Sequence, residues 1–324
     1  MRFDNDSHYS TQLRTIALGA ALSFGLLMVN ACSGGGSEDP TGTVRVIATT
    51  SILGDVVSRL GGDGIELDVM IPRGVDPHDF APSAQQVAAI SSADLVVANG
   101  LALEEGLEDV LAQAESEGIT VIKVGEEVDP LPSGETGPEP QAVEGHDHGD
   151  FDPHFWQDPI RMKAAVDVIG LWLVTVGVAE AKDLTVEYQE EIDATYADIV
   201  TILDRIPNER RLLVTNHDAF GYFADRYGFE VIGTIIPGGS TLAESSSAEI
   251  AALVETIVAN NVPAIFVENI GSAGLADILA EETGTDIEIV ELTSDALGEP
   301  GSATGSYLDM LLYNATAIAG ALDG

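Results

Sequence analysis

The chain has 324 residues, 45% of them hydrophobic, with 13 Lys plus Arg against 54 Asp plus Glu, for a formal charge of -41. That length exceeds one compact domain and that apolar content excludes disorder over most of the chain, so two lobes are expected. The charge excludes a nucleic-acid partner, because its field repels phosphate backbones; it reads as a solvated acidic surface.

At the start, Arg14 precedes "TIALGAALSFGLLMVNA" (Thr15 to Ala31), an apolar run short for a membrane span and ending in a small residue. Residues 1–31 therefore read as a signal peptide, and the protein as exported. The only cysteine, Cys32, follows directly, and "SGGGSEDPTG" then makes residues 32–42 read as a flexible tether. "VNAC" resembles a bacterial lipobox, which implies that Cys32 is lipidated and that two or more acyl chains hold the protein at the outer face of the cytoplasmic membrane. Asn30, Asp4 and Asp6 depart from the usual pattern, and a secreted or periplasmic protein with a spare thiol is the alternative.

From Thr43 strand and helix alternate. "TVRVIAT", "IELDVMI", "DLVVAN" and "ITVIKV" are β-branched, apolar runs; "SILGDVVSRLGG", "SAQQVAAISS" and "LEEGLEDVLAQAESEG" between them have helical spacing. This pattern predicts a mostly parallel sheet covered on both faces. Residues 125–153 are rich in Pro, Gly and acid without periodicity, so they read as a flexible loop closing a first lobe, 43–157. Two amphipathic helices follow. One has its stripe at Met162, Val166, Ile169, Leu173 and Val176, the other at Tyr188, Ile192, Tyr196, Ile199 and Leu203. Residues 158–182 read as a connecting helix and 183–324 as a second α/β lobe. Its strands are "RLLVT", "EVIGTII", "AIFVE" and "IEIVEL"; its helices include "FGYFADRYG", "SAEIAALVETIVANN" and "GSYLDMLLYNATAIAGAL".

Ligands of open α/β sheets bind outside the carboxyl ends of the strands. Three of the six histidines and one aspartate fall where such an inter-lobe crevice belongs: His78 in "GVDPHDFAPS", His154 in "DPHFWQDP", His217 in "VTNHDAF" and Asp295 in "ELTSDALG". His78 and His154 share an Asp-Pro-His frame, in which proline stiffens the backbone that presents the imidazole. Three imidazoles and a carboxylate suit four-coordinate zinc, whereas an oxygen-rich set would favour manganese or magnesium. The same three histidines with an open position would also suit a zinc hydrolase, but no HExxH or GxSxG motif accompanies them.

Across nearly the whole mature chain, "VIATTSILGDVV", "GVDPHDFAPS", "ADLVVANGLALE", "DPHFWQDP", "NHDAFGYFADRYG", "IFVEN" and "SDALGEPGSATGSYLDML" occur in an order that resembles the zinc/manganese substrate-binding proteins of bacterial ABC transporters. The resemblance implies two α/β lobes joined by a rigid helix, with one metal ion between them held by His78, His154, His217 and Asp295. It implies a monomer that is not an enzyme and that delivers its ion to a membrane permease. Manganese-binding members tend to carry glutamate where this chain has His217, which points to Zn2+, with Mn2+ as the alternative. His146, Asp147 and His148 lie in the acidic loop, where zinc-binding relatives often carry a longer His-rich insertion. They are candidates for accessory metal binding, against a plain linker. Secondary adhesion and organic-solute binding remain as other classes.

Overall fold

The computed structural model describes residues 43–134, 150–270 and 274–323. The leader with Cys32, and His146, Asp147 and His148, lie outside the described residues. In the first lobe β1 (Val44–Ala48), α1 (Ser51–Gly61), β2 (Ile65–Val69), α2 (Ala84–Ile90), β3 (Leu95–Ala98), α3 (Glu108–Ser116) and β4 (Val121–Lys123) follow one another. The strands form a parallel sheet of order β2-β1-β3-β4, with Val44 opposite Ile65 and Ala48 opposite Val69. Every residue of β3 is buried, as a central parallel strand with both faces covered requires.

The middle of the chain folds as two helices, α4 (Pro159–Thr175) and α5 (Ala181–Leu203). The second lobe then repeats the first: β5 (Leu212–Thr215), α6 (Gly221–Tyr227), β6 (Glu230–Thr234), α7 (Ser247–Asn260), β7 (Ala264–Glu268), α8 (Gly274–Thr283), β8 (Glu288–Leu292) and α9 (Tyr307–Leu322). Its parallel sheet has the order β6-β5-β7-β8, the same as the first. The architecture is thus two parallel-sheet α/β lobes, as the alternation predicts. No described helix is long and apolar enough to cross a membrane.

Differences from the sequence pattern have local causes. The helix expected from Leu103 begins only at Glu108, because Glu104 turns inward and accepts the N–H groups of Asn99 (2.8 Å) and Gly100 (3.1 Å). The described ends of the aperiodic stretch 125–153 are also ordered by specific bonds. A 3-10 turn spans Val124–Glu127, and Pro132 and Phe151 form an antiparallel bridge.

Asp158 starts α4: its side chain accepts the Ile160 N–H (2.8 Å), and Pro159 fills the first helical position. Its fully buried carboxylate is also gripped by Arg161 and by Arg226 of α6, which fastens this helix start to the second lobe. The predicted α4 stripe is buried at Met162, Val166, Ile169 and Leu173, and α5 buries Tyr188, Ile192, Ile199 and Leu203. α5 packs against α4, α1 and α9, so a single apolar core runs from Val46 and Leu53 through both middle helices to Phe266 and Ile318.

The α4–α5 contact depends on Gly170. A Cβ there would lie 2.1 Å from Thr185 Oγ1, whose hydroxyl donates to the Ala181 carbonyl (2.6 Å). Gly170→Ala is expected to cost about 1–3 kcal/mol through overpacking. In urea unfolding this should lower the midpoint without changing the slope; an unchanged midpoint would mean the helix pair has slack there.

Candidate metal centre

The carboxyl ends of both sheets face one crevice. His78 comes from the loop after β2, His217 lies two residues past β5, and Asp295 lies three past β8; His154 leads into a 3-10 turn, Phe155–Gln157, and then into α4. All four are brought together, with exposures of 3%, 0%, 0% and 1% for His78, His154, His217 and Asp295. One potential ligand atom from each lies within 4.8 Å of all the others.

The separations are those of a coordination shell. His217 Nε2 is 3.3 Å from His154 Nε2 and 3.3 Å from Asp295 Oδ2. The Nε2 atoms of His78 and His154 each stand 3.8 Å from an Asp295 oxygen. Zinc bonds of about 2.0–2.1 Å in a tetrahedron place neighbouring ligand atoms about 3.3 Å apart. Only small shifts therefore separate these side chains from a closed four-coordinate shell.

Two of the rings are held from behind, those of His154 and His217. Asp152 Oδ1 accepts the backbone N–H of His154 (2.9 Å) and lies 2.7 Å from its Nδ1. Glu268, at the end of β7, accepts the backbone N–H of His217 (3.0 Å) and the Ser294 hydroxyl (2.8 Å), and its Oε2 lies 2.7 Å from His217 Nδ1. A carboxylate at Nδ1 keeps a proton there and leaves Nε2 to face the centre. Asp76 Oδ1 likewise accepts the His78 N–H (2.9 Å). The two Asp-Pro-His frames are thus turns in which the carboxylate reaches past proline, which has no N–H, to the histidine's own amide.

Sequence reasoning singled out the four central residues and missed Asp152 and Glu268 as their supports. A signal existed for each. Asp152 stands in a frame read only for its proline, and Glu268 is an acid ending the apolar run "AIFV".

The electrostatics follow from burial. Burial alone would raise Asp295, but His217 first, then His154 and His78, hold its carboxyl well below the usual carboxylate range. Burial would lower His217, yet the carboxylates of Glu268 and Asp295 outweigh it and raise the imidazole well above its ordinary value. Trp156 walls the site: its ring is 5.2 Å from that of His154, and its indole N–H donates to the Ser294 carbonyl (2.8 Å).

Known proteins resemble this chain in sequence and fold. The zinc-binding protein TroA of Treponema pallidum is 31% identical over 296 residues, 89% of this chain and 92% of its own length. The manganese-binding lipoprotein MntA of Bacillus subtilis is 31% identical over 324 residues, covering 94% of this chain and 98% of its own. Among solved structures, periplasmic zinc-binding TroA superposes with a TM-score of 0.77 at 31% identity, over 87% of this chain and 99% of that one. The model of the family ZnuA, zinc-uptake complex component A, periplasmic, matches residues 46–321. With all four converging side chains inside that match, the chain belongs to the ZnuA family of metal-uptake binding proteins.

Proposed function

We propose that this protein captures one divalent metal ion, Zn2+ first, through His78, His154, His217 and Asp295, and delivers it to a membrane ABC permease. The observation that carries the reading is the buried convergence of three imidazole nitrogens and one carboxylate oxygen within 4.8 Å of one another. Imidazole-rich sites suit zinc better than manganese. Asp295 takes the fourth position, so no coordination site remains for a substrate, and the protein works by capture rather than catalysis. It acts outside the cytoplasm as a monomer, anchored through Cys32. The lobes 43–157 and 183–324 form the two jaws, and 158–182 joins them. A manganese carrier is the second reading, supported by the manganese-binding names of relatives as similar as MntA.

Titration of metal-stripped protein from Ser33 onward, against a chromophoric chelator, tests this directly. The expected outcome is one tight zinc site, far weaker manganese binding, and loss of the site in His217→Ala. Tight manganese binding would move the assignment to the second reading, and no tight site would overturn both.

Glu268→Gln should weaken zinc binding by about 10- to 100-fold, the usual effect of losing a carboxylate behind a ligating histidine. It also removes the chief group that raises His217, so the pH dependence of binding should flatten. An unchanged affinity and pH profile would remove Glu268 from its supporting role.

The raised His217 contributes to metal-free stability in full below its unfolded value of about 6.5, and loses that contribution as pH rises through the folded value. The depressed Asp295 contributes above its unfolded value of about 3.9 and loses this only as pH falls through the folded value in stronger acid. Metal-free protein should therefore be most stable, as far as these two groups go, between about pH 4 and 6.5. Zinc must displace the His217 proton, so it should raise Tm more at pH 8 than at pH 6. Equal increments at both values would show that His217 binds without losing a proton.

A further inference from the structure

Two loops hold equivalent places in the two lobes. After β2, the N–H groups of Met70 and Ile71 donate to the carbonyls of Ala48 and Thr49 (both 2.9 Å); after β6, those of Ile235 and Ile236 donate to Thr215 and Asn216 (2.9 and 2.7 Å). Both chains then reach a proline, Pro72 or Pro237. Both loops end in a capping box, Ser83 with Gln86 or Ser246 with Glu249. The first loop brings His78 to the centre. The second carries Gly238, Gly239, Ser240 and Thr241 and supplies no side chain to the ligand cluster.

What it does instead is run beside the cluster. The Gly238 carbonyl accepts the N–H of Asp218, next to His217 (3.0 Å), and Gly238 itself has φ +87°, where glycine is favoured. A Cβ on Gly239 would sit 4.0 Å from His154 Cε1, so this backbone passes against the edge of that ring. The next two residues cross to the first lobe. Thr241 Oγ1 donates to Asp76 Oδ2 (2.6 Å), and Ser240 Oγ donates to Glu105 Oε1 (3.1 Å). The other oxygen of Asp76 holds the His78 amide, so one carboxylate joins this crossing to the loop that presents His78. Glu105 follows a left-handed turn at Gly100, Leu101 and Ala102, with φ of 78°, 56° and 60°. Such a turn is unfavourable for leucine and alanine and persists only where surrounding contacts require it. Leu242, which follows the crossing, stays 45% exposed. The two hydroxyl–carboxylate bonds tie the segment across to the first lobe.

We propose that residues 237–242 form the lid of the metal site, and that the clasp of Thr241 on Asp76 and Ser240 on Glu105 sets the rate at which a captured ion leaves. This rests on the metal-capture reading above. With all four central residues at most 3% exposed, an ion leaves only when something covering them moves. A lid held by two hydroxyl groups moves without splitting the apolar core. The same carboxylates, once released by the hydroxyls, are open to a competing donor on a docking partner.

The test is zinc release into excess chelator, followed by stopped flow, for the zinc-loaded parent, Ser240→Ala, Thr241→Val and the double variant. Each single change should speed release several-fold and the double change about tenfold or more, as expected for losing bonds to charged acceptors. The absorption spectrum of bound Co2+, which reports the ligand geometry, should stay at the parental form, and metal-free Tm should stay close to the parent's. Release at the parental rate in every variant that folds would overturn the lid. So would faster release accompanied by an altered Co2+ spectrum, since the hydroxyls would then act through the ligands. If the double variant fails to fold, the two single variants decide by the same criteria. A parent that binds no zinc would overturn the metal-capture reading and this proposal with it, whereas a tight-binding parent with unaffected variants would overturn the lid alone.

Discussion

The Asp295 carboxylate is buried at 1% exposure, and the rest of the centre answers that burial. A lone ionised carboxylate in such a place would cost several kcal/mol unless paired. Its partners among the described residues are the three imidazoles rather than an Arg or Lys. Two of those imidazoles have further carboxylates behind them, Asp152 and Glu268. Glu268 and Asp295 together raise His217, and negative charge at the centre is also what a divalent cation neutralises. Proton and metal thus compete for the same nitrogen, with the same carboxylates favouring both.

The fold keeps such a cluster together by distributing it. Each lobe turns at the same point of the same strand order, so each offers loops at the carboxyl ends of its sheet, and the crevice between them collects both sets. Neither lobe alone holds more than a fragment of the cluster. The middle helices bind the halves through one continuous core, and Asp158 ties the start of α4 to Arg226 of α6. A wide hinge opening would have to split close-packed side chains. A surface loop can move without splitting that core, whereas His154 is rooted at the start of α4.

How much of this was legible in the sequence depends on the scale of the interaction. β3 and β7 declare themselves because strands buried on both faces become unbroken apolar runs. The helical stripes at Met162–Leu173 and Tyr188–Leu203 are legible for a similar reason, each residue repeating the same environment. The four central residues stood out because histidine is scarce here and topology places strand ends in a crevice. The delayed start of α3 was hidden: it depends on Glu104 folding back onto Asn99 and Gly100, a contact that overrides a good helical pattern. Asp152 and Glu268 were hidden for another reason. In a chain with 54 acids, nothing in composition separates two buried supports from the solvated majority; only their distances to Nδ1 do.

The choice of metal shows the same division between global likeness and local chemistry. Relatives named for zinc and for manganese stand at the same 31% identity to this chain, so overall similarity cannot rank the two ions. What can rank them is the donor set and its spacing. Manganese prefers more oxygen donors and higher coordination, whereas this centre gathers three imidazoles and one carboxylate with ligand atoms within 4.8 Å of one another. Replacing the nitrogen at 217 by a carboxylate would change the ranking in two ways. It would add an oxygen donor, and it would set that new charge against Glu268, whose carboxylate now sits 2.7 Å from the ring. Glu268 is therefore matched by a side chain at 217 with a proton to share, as the imidazole of His217 has.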